Sequence, residues 1–236
     1  MEKQTLRERV WTDLEERGVA RFPFPPHGRI PNYAGASEAA DRLAEQPEWE
    51  SATTIKANPD APQLPVRRRA LRDGKTVYMA VPRLRDERCF LKLDPDDLED
   101  YDAATTVSGS SEHGEQIGPD EIDRVDLIVS GSVAVTEDGG RIGKGEGYSD
   151  LEYAVLRELG LVDEETPVAT TVHDRQVIGD PVALAAHDVT MDLVVTPERM
   201  VRPESSDQPV GIDWDLLDAD RRDEIPVLRR LEDDTR

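Results

Sequence analysis

Glycine recurs at every second position in Gly143-Lys144-Gly145-Glu146-Gly147, and Tyr148-Ser149-Asp150 and an amphipathic segment follow at once. A chain punctuated in this way must turn sharply here, because glycine alone takes up left-handed and close-approach conformations without a Cβ penalty. Upstream, Val125-Asp126-Leu127-Ile128-Val129 is a short, nearly continuous apolar run, the pattern of a strand buried on both faces of a parallel sheet. Downstream, residues 150–160 read as a helix stopped by Gly160. The block is therefore a strand-to-helix turn. Its amides can turn inward, and Arg141, Lys144 and the helix N-terminus add positive potential, which is the chemistry of a phosphate cradle. It is not a Walker loop, since three residues rather than four separate Gly139 from Gly143 and no Ser or Thr follows the lysine. Nor does it match the dinucleotide fingerprint. Asp150 either caps the helix or holds Mg²⁺ against nucleotide phosphates, because magnesium is usually held by one or two carboxylates plus phosphate oxygens.

The rest of the chain repeats the alternation. Leu6, Val10, Trp11 and Leu14 have helical spacing and predict an amphipathic helix over 2–17, ended by Gly18. Prolines rule out regular structure over 22–36 and suggest a ligand-covering loop in which Arg29 and Asn32 are the polar groups of interest. A helix is expected over 37–45 with Ser37 as its N-cap. Strands are expected at Thr76–Val81, Cys89–Leu93, Val168–Val172 and Met191–Val195, and a loop over 105–120. Such a pattern predicts an open α/β sheet with its ligand at the strand carboxyl ends. We expect one main domain over 1–236, with a C-terminal tail over 203–236.

Charge excludes some partners. The 51 acidic against 29 basic residues give a net charge of −22, which disfavours nucleic acid and anionic membrane surfaces. Five lysines against 24 arginines on an acidic background resemble the habit of proteins bathed in molar salt, where repulsion is screened within a few ångströms. Cys89 is alone, so a disulfide framework is excluded within one chain and a reducing, cytoplasmic setting is expected. The charged start and a longest apolar run of Val182–Ala186 argue against a secretory or membrane segment.

Weaker candidates give way to plainer roles. His173-Asp174 and His187-Asp188 lack a close second histidine for a transition metal. Ser130 and Ser132 lie outside any nucleophile elbow. Arg67-Arg68-Arg69 reads as a solvated helix face.

Several blocks occur in an order that resembles the 5-formyltetrahydrofolate cyclo-ligases, also called methenyltetrahydrofolate synthetases. They are Lys3-x-x-x-Arg7, Gly74-Lys75, Pro82-Arg83, the run from Arg141 to Asp150, Gln176, His187-Asp188, Asp192 and Thr196. The resemblance spans most of the chain and is most specific in the glycine block. It implies a three-layer α/β fold with an open, mostly parallel sheet, of the NagB/RpiA/CoA transferase-like kind. It also implies conversion of 5-formyltetrahydrofolate, with MgATP, to 5,10-methenyltetrahydrofolate, ADP and phosphate, by a monomer or homodimer. By resemblance Lys3 and Arg7 reach the ATP phosphates, and Arg141, Ile142, Gly143, Lys144, Gly145, Glu146, Gly147, Tyr148 and Ser149 cradle them. Arg141, Lys144 and Tyr148 would act in catalysis, and Asp150 and Asp188 would hold Mg²⁺. Ser149 replaces a usual second tyrosine, and the folate glutamate expected before Gly74 is absent from Asp60-Ala61-Pro62-Gln63. Both departures, with the tail, resemble a divergent branch that includes methenyltetrahydrofolate synthetase domain-containing proteins. That branch leaves open an ATP-dependent reaction on another, thiamine-linked heterocycle, or a non-catalytic folate- or nucleotide-binding module.

Overall fold

Short strands follow short helices along most of the chain, and the order in which the strands pair decides where a ligand can sit. The computed structural model describes residues 2–204, 208–217 and 219–235, so positions 205–207, 218 and 236 of the expected tail lie outside the described residues. In chain order, α1 (Lys3–Glu16) leads to a two-stranded ribbon of β1 (Ala20–Arg21) and β2 (Asn32–Tyr33). Next come α2 (Ala36–Ala44), α3 (Pro47–Ser51), β3 (Thr54–Ala57), α4 (Leu64–Arg72), β4 (Thr76–Ala80) and β5 (Phe90–Leu93). After α5 (Tyr101–Ala104), the segment 105–120 expected to be a loop instead carries α6 (Val107–His113) and β6 (Glu115–Ile117). After β7 (Leu127–Val129) the chain makes β8 (Ala134–Thr136), β9 (Arg141–Ile142) and α7 (Tyr148–Glu158). It ends with β10 (Val168–Thr171), β11 (Val177–Ile178), β12 (Leu193–Val195), β13 (Met200–Val201), α8 (Ala219–Glu224) and α9 (Pro226–Thr235).

Eight strands form the main sheet in the order β13-β12-β10-β7-β3-β4-β5-β6. The five central strands are parallel, and antiparallel strands close both edges. Residues 127–129, 168–171 and 193–195 are buried throughout, as strands covered on both faces require. From β3 the chain crosses to β4 in one direction, and from β7 it crosses to β10 in the other. Right-handed crossovers then put α4 and α7 on opposite faces, giving three layers. The side chains agree: Lys56 of β3 reaches Glu152 on α7, and the pleat turns Ile55 and Ala57 the other way. The crossover direction reverses between β3 and β7, so a crevice opens beyond their carboxyl ends.

Local chemistry accounts for the boundaries. Leu6, Val10, Trp11 and Leu14 are the buried stripe of α1, and Gly18 at φ 64° ends it. Helix α2 begins on Gly35, which is left-handed at φ 89°, so Ser37 lies inside the helix rather than capping it. A Cβ on Gly35 would come within 2.6 Å of Pro197, which adds a packing reason for glycine there. The expectation that 22–36 holds no regular structure needs one correction, the Asn32–Tyr33 strand. Likewise 107–113 is helical because Thr106 caps it, its hydroxyl accepting from Gly109 N at 3.0 Å.

Candidate functional site

A cleft of about 310 Å³ lies at the point where the crossover direction reverses. Its walls come from Asn58-Pro59-Asp60 after β3, Ala80 to Arg83 after β4, Gly131 after β7, and Arg141 to Glu152. One side of it is the glycine block. Gly145 and Gly147 have φ of 107° and 70°, and a Cβ on Gly143 would come within 3.0 Å of the Arg141 guanidinium. Each glycine therefore has a steric cause. Helix α7 starts at Tyr148, and its first internal bond runs from Leu151 N to Gly147 O at 3.1 Å. The amides of Tyr148, Ser149 and Asp150 have no acceptor inside the helix, and the helix dipole adds to their pull on an anion.

Cations surround this array. Arg141 is buried, donates from Nη1 to Gly131 O (3.0 Å) and from Nη2 to Asp150 Oδ1 (2.6 Å), and its Nε finds no acceptor. Arg7, reaching over from α1, donates from Nε to Gly143 O at 2.7 Å. Burial, and then the nearby Arg141 charge, hold the Arg7 guanidinium below its ordinary value. Two crowded guanidinium groups beside open amides form a site where an anion relieves repulsion. Lys144 pairs with Glu146 at 2.7 Å, and Arg83, left-handed at φ 62°, brings Nη2 to 3.9 Å from the other Glu146 oxygen. Arg221 of α8 donates to Glu146 O at 2.6 Å and lies over the Tyr148 ring.

The two candidate metal ligands are engaged, but each on one oxygen. Asp150 Oδ1 accepts from Arg141 and from Val189 N (3.1 Å). Burial opposes its ionisation, yet Arg141 and the Val189 amide outweigh that and hold its carboxyl below the usual range. Asp188 Oδ2 accepts from Lys3 Nζ (2.5 Å) and Ala185 N (2.7 Å). Among the described residues no hydrogen bond occupies Asp150 Oδ2 or Asp188 Oδ1, and no group of three or more metal-binding side chains exists. Such a set fits an ion that completes its shell with phosphate oxygens and water.

Of the residues singled out from the sequence, the structure brings Arg141, Gly143, Lys144, Glu146, Gly147, Tyr148, Ser149 and Asp150 to the cleft wall. Ile142 and Gly145 stand behind it; Lys3 and Arg7 hold the loop and Asp188 from α1. Asp150 is the third residue of α7, not its cap. From the proline-rich segment Ile30, rather than Arg29 or Asn32, reaches the cleft. The Arg67 side chain corrects the solvated-face reading: it is buried and donates to Asn58 O (2.6 Å), Asp60 O (3.1 Å) and Thr105 O. Burial lowers its pKa to about 10. Missed in the sequence were Asn58, Asp60 and Glu152. Burial pushes the Asp60 carboxyl up, opposed by Lys144 and reinforced by Glu152.

The family model for the 5-formyltetrahydrofolate cyclo-ligase family matches residues 1–197. The chain belongs to that family. Curated relatives carry it further: a methenyltetrahydrofolate synthase domain-containing protein of Mus musculus is 44% identical over 234 residues, 97% of this chain and 63% of the relative. The Homo sapiens protein of the same name is 40% identical over 238 residues, 97% of this chain and 61% of its own length. The chain thus spans about three-fifths of these curated relatives. Among solved structures, a 5,10-methenyltetrahydrofolate synthetase of Aquifex aeolicus shares the fold, with a TM-score of 0.53 and 18% identity. That likeness covers 88% of this chain and 96% of the other. Within this family member, the segment beyond 197 lies outside the matched region, yet it supplies Arg221 to the glycine loop.

Proposed function

We propose that the chain catalyses the ATP-dependent, Mg²⁺-assisted cyclisation of 5-formyltetrahydrofolate to 5,10-methenyltetrahydrofolate, releasing ADP and phosphate. The observation that carries this reading is the open amide array of Tyr148 to Asp150 beside crowded Arg7 and Arg141, all at the sheet's switch point. Membership of the cyclo-ligase family supports the substrate. In the reaction the γ-phosphoryl group passes to the formyl oxygen, the neighbouring folate nitrogen attacks the formyl carbon, and the C–O bond breaks. Phosphate leaves with the bonding pair, and the attacking nitrogen gives up its proton to solvent.

For this chain's own residues the work is mainly positioning and charge stabilisation. The loop Arg141 to Ser149 binds the phosphates through its amides, with Lys144 leaving Glu146 to meet the developing charge. Lys3 and Arg7 hold the loop's outer side and the Asp188 segment. Asp150 and Asp188 would hold Mg²⁺ through their open oxygens, where the ion neutralises phosphate charge. Tyr148 faces the heterocycle. We place the protein in a reducing, cytoplasmic and salt-rich setting, on the basis of its lone buried cysteine and its charge.

Mixing the protein in molar KCl with MgATP and 5-formyltetrahydrofolate should generate the near-ultraviolet absorbance of the methenyl product. Lys144→Ala and Asp150→Ala should each weaken MgATP binding with the fold intact. Tight ATP binding without turnover would move the assignment to another heterocycle, and unchanged nucleotide affinity in both variants would remove the cradle from the account.

A further inference from the structure

One turn into α7 from the phosphate loop, the cleft is lined by Glu152, whose ion pair with Lys56 the reaction outlined above does not use. Lys56 and Glu152 are 1% and 6% exposed, and Lys56 Nζ donates to Glu152 Oε2. Asn58, 5% exposed, donates from Nδ2 to the same oxygen at 3.2 Å while its Oδ1 accepts from Gly131 N at 3.1 Å. Burying two opposite charges brings little or no net stability over an apolar pair of the same volume. Glu152 nevertheless stands among Leu151, Tyr153, Ala154 and Val155 on a helix turn that has no solvated side.

Its other oxygen is the informative atom. Glu152 lines the cleft, and no hydrogen bond to Oε1 exists among the described residues. Oε1 is not among the solvent-shielded polar atoms left without a partner, so this oxygen reaches the open cleft, where a ligand or water can satisfy it. Lys56 and Asn58 fix the group's orientation through Oε2, so Oε1 is aimed by them and free of them.

We infer that Glu152, oriented by Lys56 and Asn58, is the residue that selects the substrate's heterocycle, its Oε1 accepting a hydrogen bond from a ring N–H or amino group. Lys56 already neutralises the carboxylate, so the favoured donor is an uncharged one, as on an amino-substituted nitrogen heterocycle. An ionised carboxylate can only accept, so a ring presenting a lone pair at that place is rejected. Apolar Ile30, Val81 and Pro82 on the same cleft suit the flat faces of such a ring. Specificity of this type is strong because an unmatched buried polar group is left bare. This inference rests on the reading that the cleft takes a folate-like ring.

The test compares wild type with Glu152→Gln and with the double variant Lys56→Met/Glu152→Met, which removes both charges and keeps the bulk. Turnover, 5-formyltetrahydrofolate binding by calorimetry, MgATP binding and melting are measured for each. Loss of a charge-assisted bond should raise KM for the folate by about tenfold or more in both variants. MgATP affinity should stay within about twofold, since no phosphate-loop contact is removed, and the double variant should melt no lower than wild type. Unchanged folate KM in both variants of an active enzyme would overturn the inference and leave the cyclo-ligase reading standing. So would equal losses of ATP and folate binding with lowered melting, the sign of a purely structural pair. Wild type that neither binds nor turns over 5-formyltetrahydrofolate would overturn both.

Discussion

The Arg221 guanidinium lies 4.7 Å from the centroid of the Tyr148 ring and donates from Nη2 to Glu146 O at 2.6 Å. Arg221 belongs to the segment beyond the family-matched residues, and it clasps the glycine loop at its last turn before α7. A cation over an aromatic face contributes about 1 kcal/mol. Arg221→Ala should therefore weaken MgATP binding by roughly fivefold, with Arg221→Lys intermediate, in a fluorescence titration. Identical affinities in all three proteins would show that the clasp does not organise the loop.

Two left-handed glycines separate stability from function. Gly160 at φ 69° ends α7 in open space, whereas Gly147 at φ 70° starts the same helix at the cleft. Alanine at either position costs about 1–2 kcal/mol of backbone strain. Gly160→Ala should lower the melting temperature and leave turnover intact; Gly147→Ala should lower both.

The two cleft aspartates should respond to pH with opposite signs. Asp150 is held below the usual carboxylate range in the folded state. Its stabilisation is present above the unfolded pKa, about 3.9, and is lost as pH falls through the depressed folded value. Asp60 is raised, so the folded state binds its proton more tightly and loses stability as pH climbs from the unfolded value through the folded one. At neutral pH Asp150→Asn should melt lower than wild type and Asp60→Asn higher. Melting curves from pH 3 to 8 should show the acid branch flattened in the first variant.

Salt should matter in the direction the charge dictates. With a net charge of −22, repulsion among carboxylates reaches about 30 Å at 10 mM KCl but about 3 Å at 1 M. The melting temperature should climb with KCl across this range, and a flat profile would dismiss the salt adaptation.

The parts of the fold that could be read from the sequence were those whose pattern did not depend on distant partners. Val125–Val129 announces a doubly covered strand, and β7 is one, at Leu127–Val129. The glycine block announces its turn because positive φ leaves a residue-level mark. Strand β3 escaped because Lys56 interrupts its apolar run, and the charge makes sense only once Glu152 is beside it. Arg67 looked solvated among three arginines, but its guanidinium is consumed by carbonyls of Asn58, Asp60 and Thr105, which only the fold brings together. A hint of Glu152 was available: Leu151, Tyr153, Val155 and Leu156 around it are buried, so little of that helix turn was left to be wet. Ile30 left no signal at all, since its place in the cleft comes from the path of an irregular loop.

Arg7 and Arg221 hold the glycine loop by its carbonyls across sequence separations of 136 and 75 residues. A nascent chain emerging from the ribosome could close the central strands early, since those contacts need nothing beyond residue 195. The cradle could not be completed then. Arg221 must first clear the exit tunnel, so the glycine loop gains its second clasp only after the residues that build the parallel strands have been made.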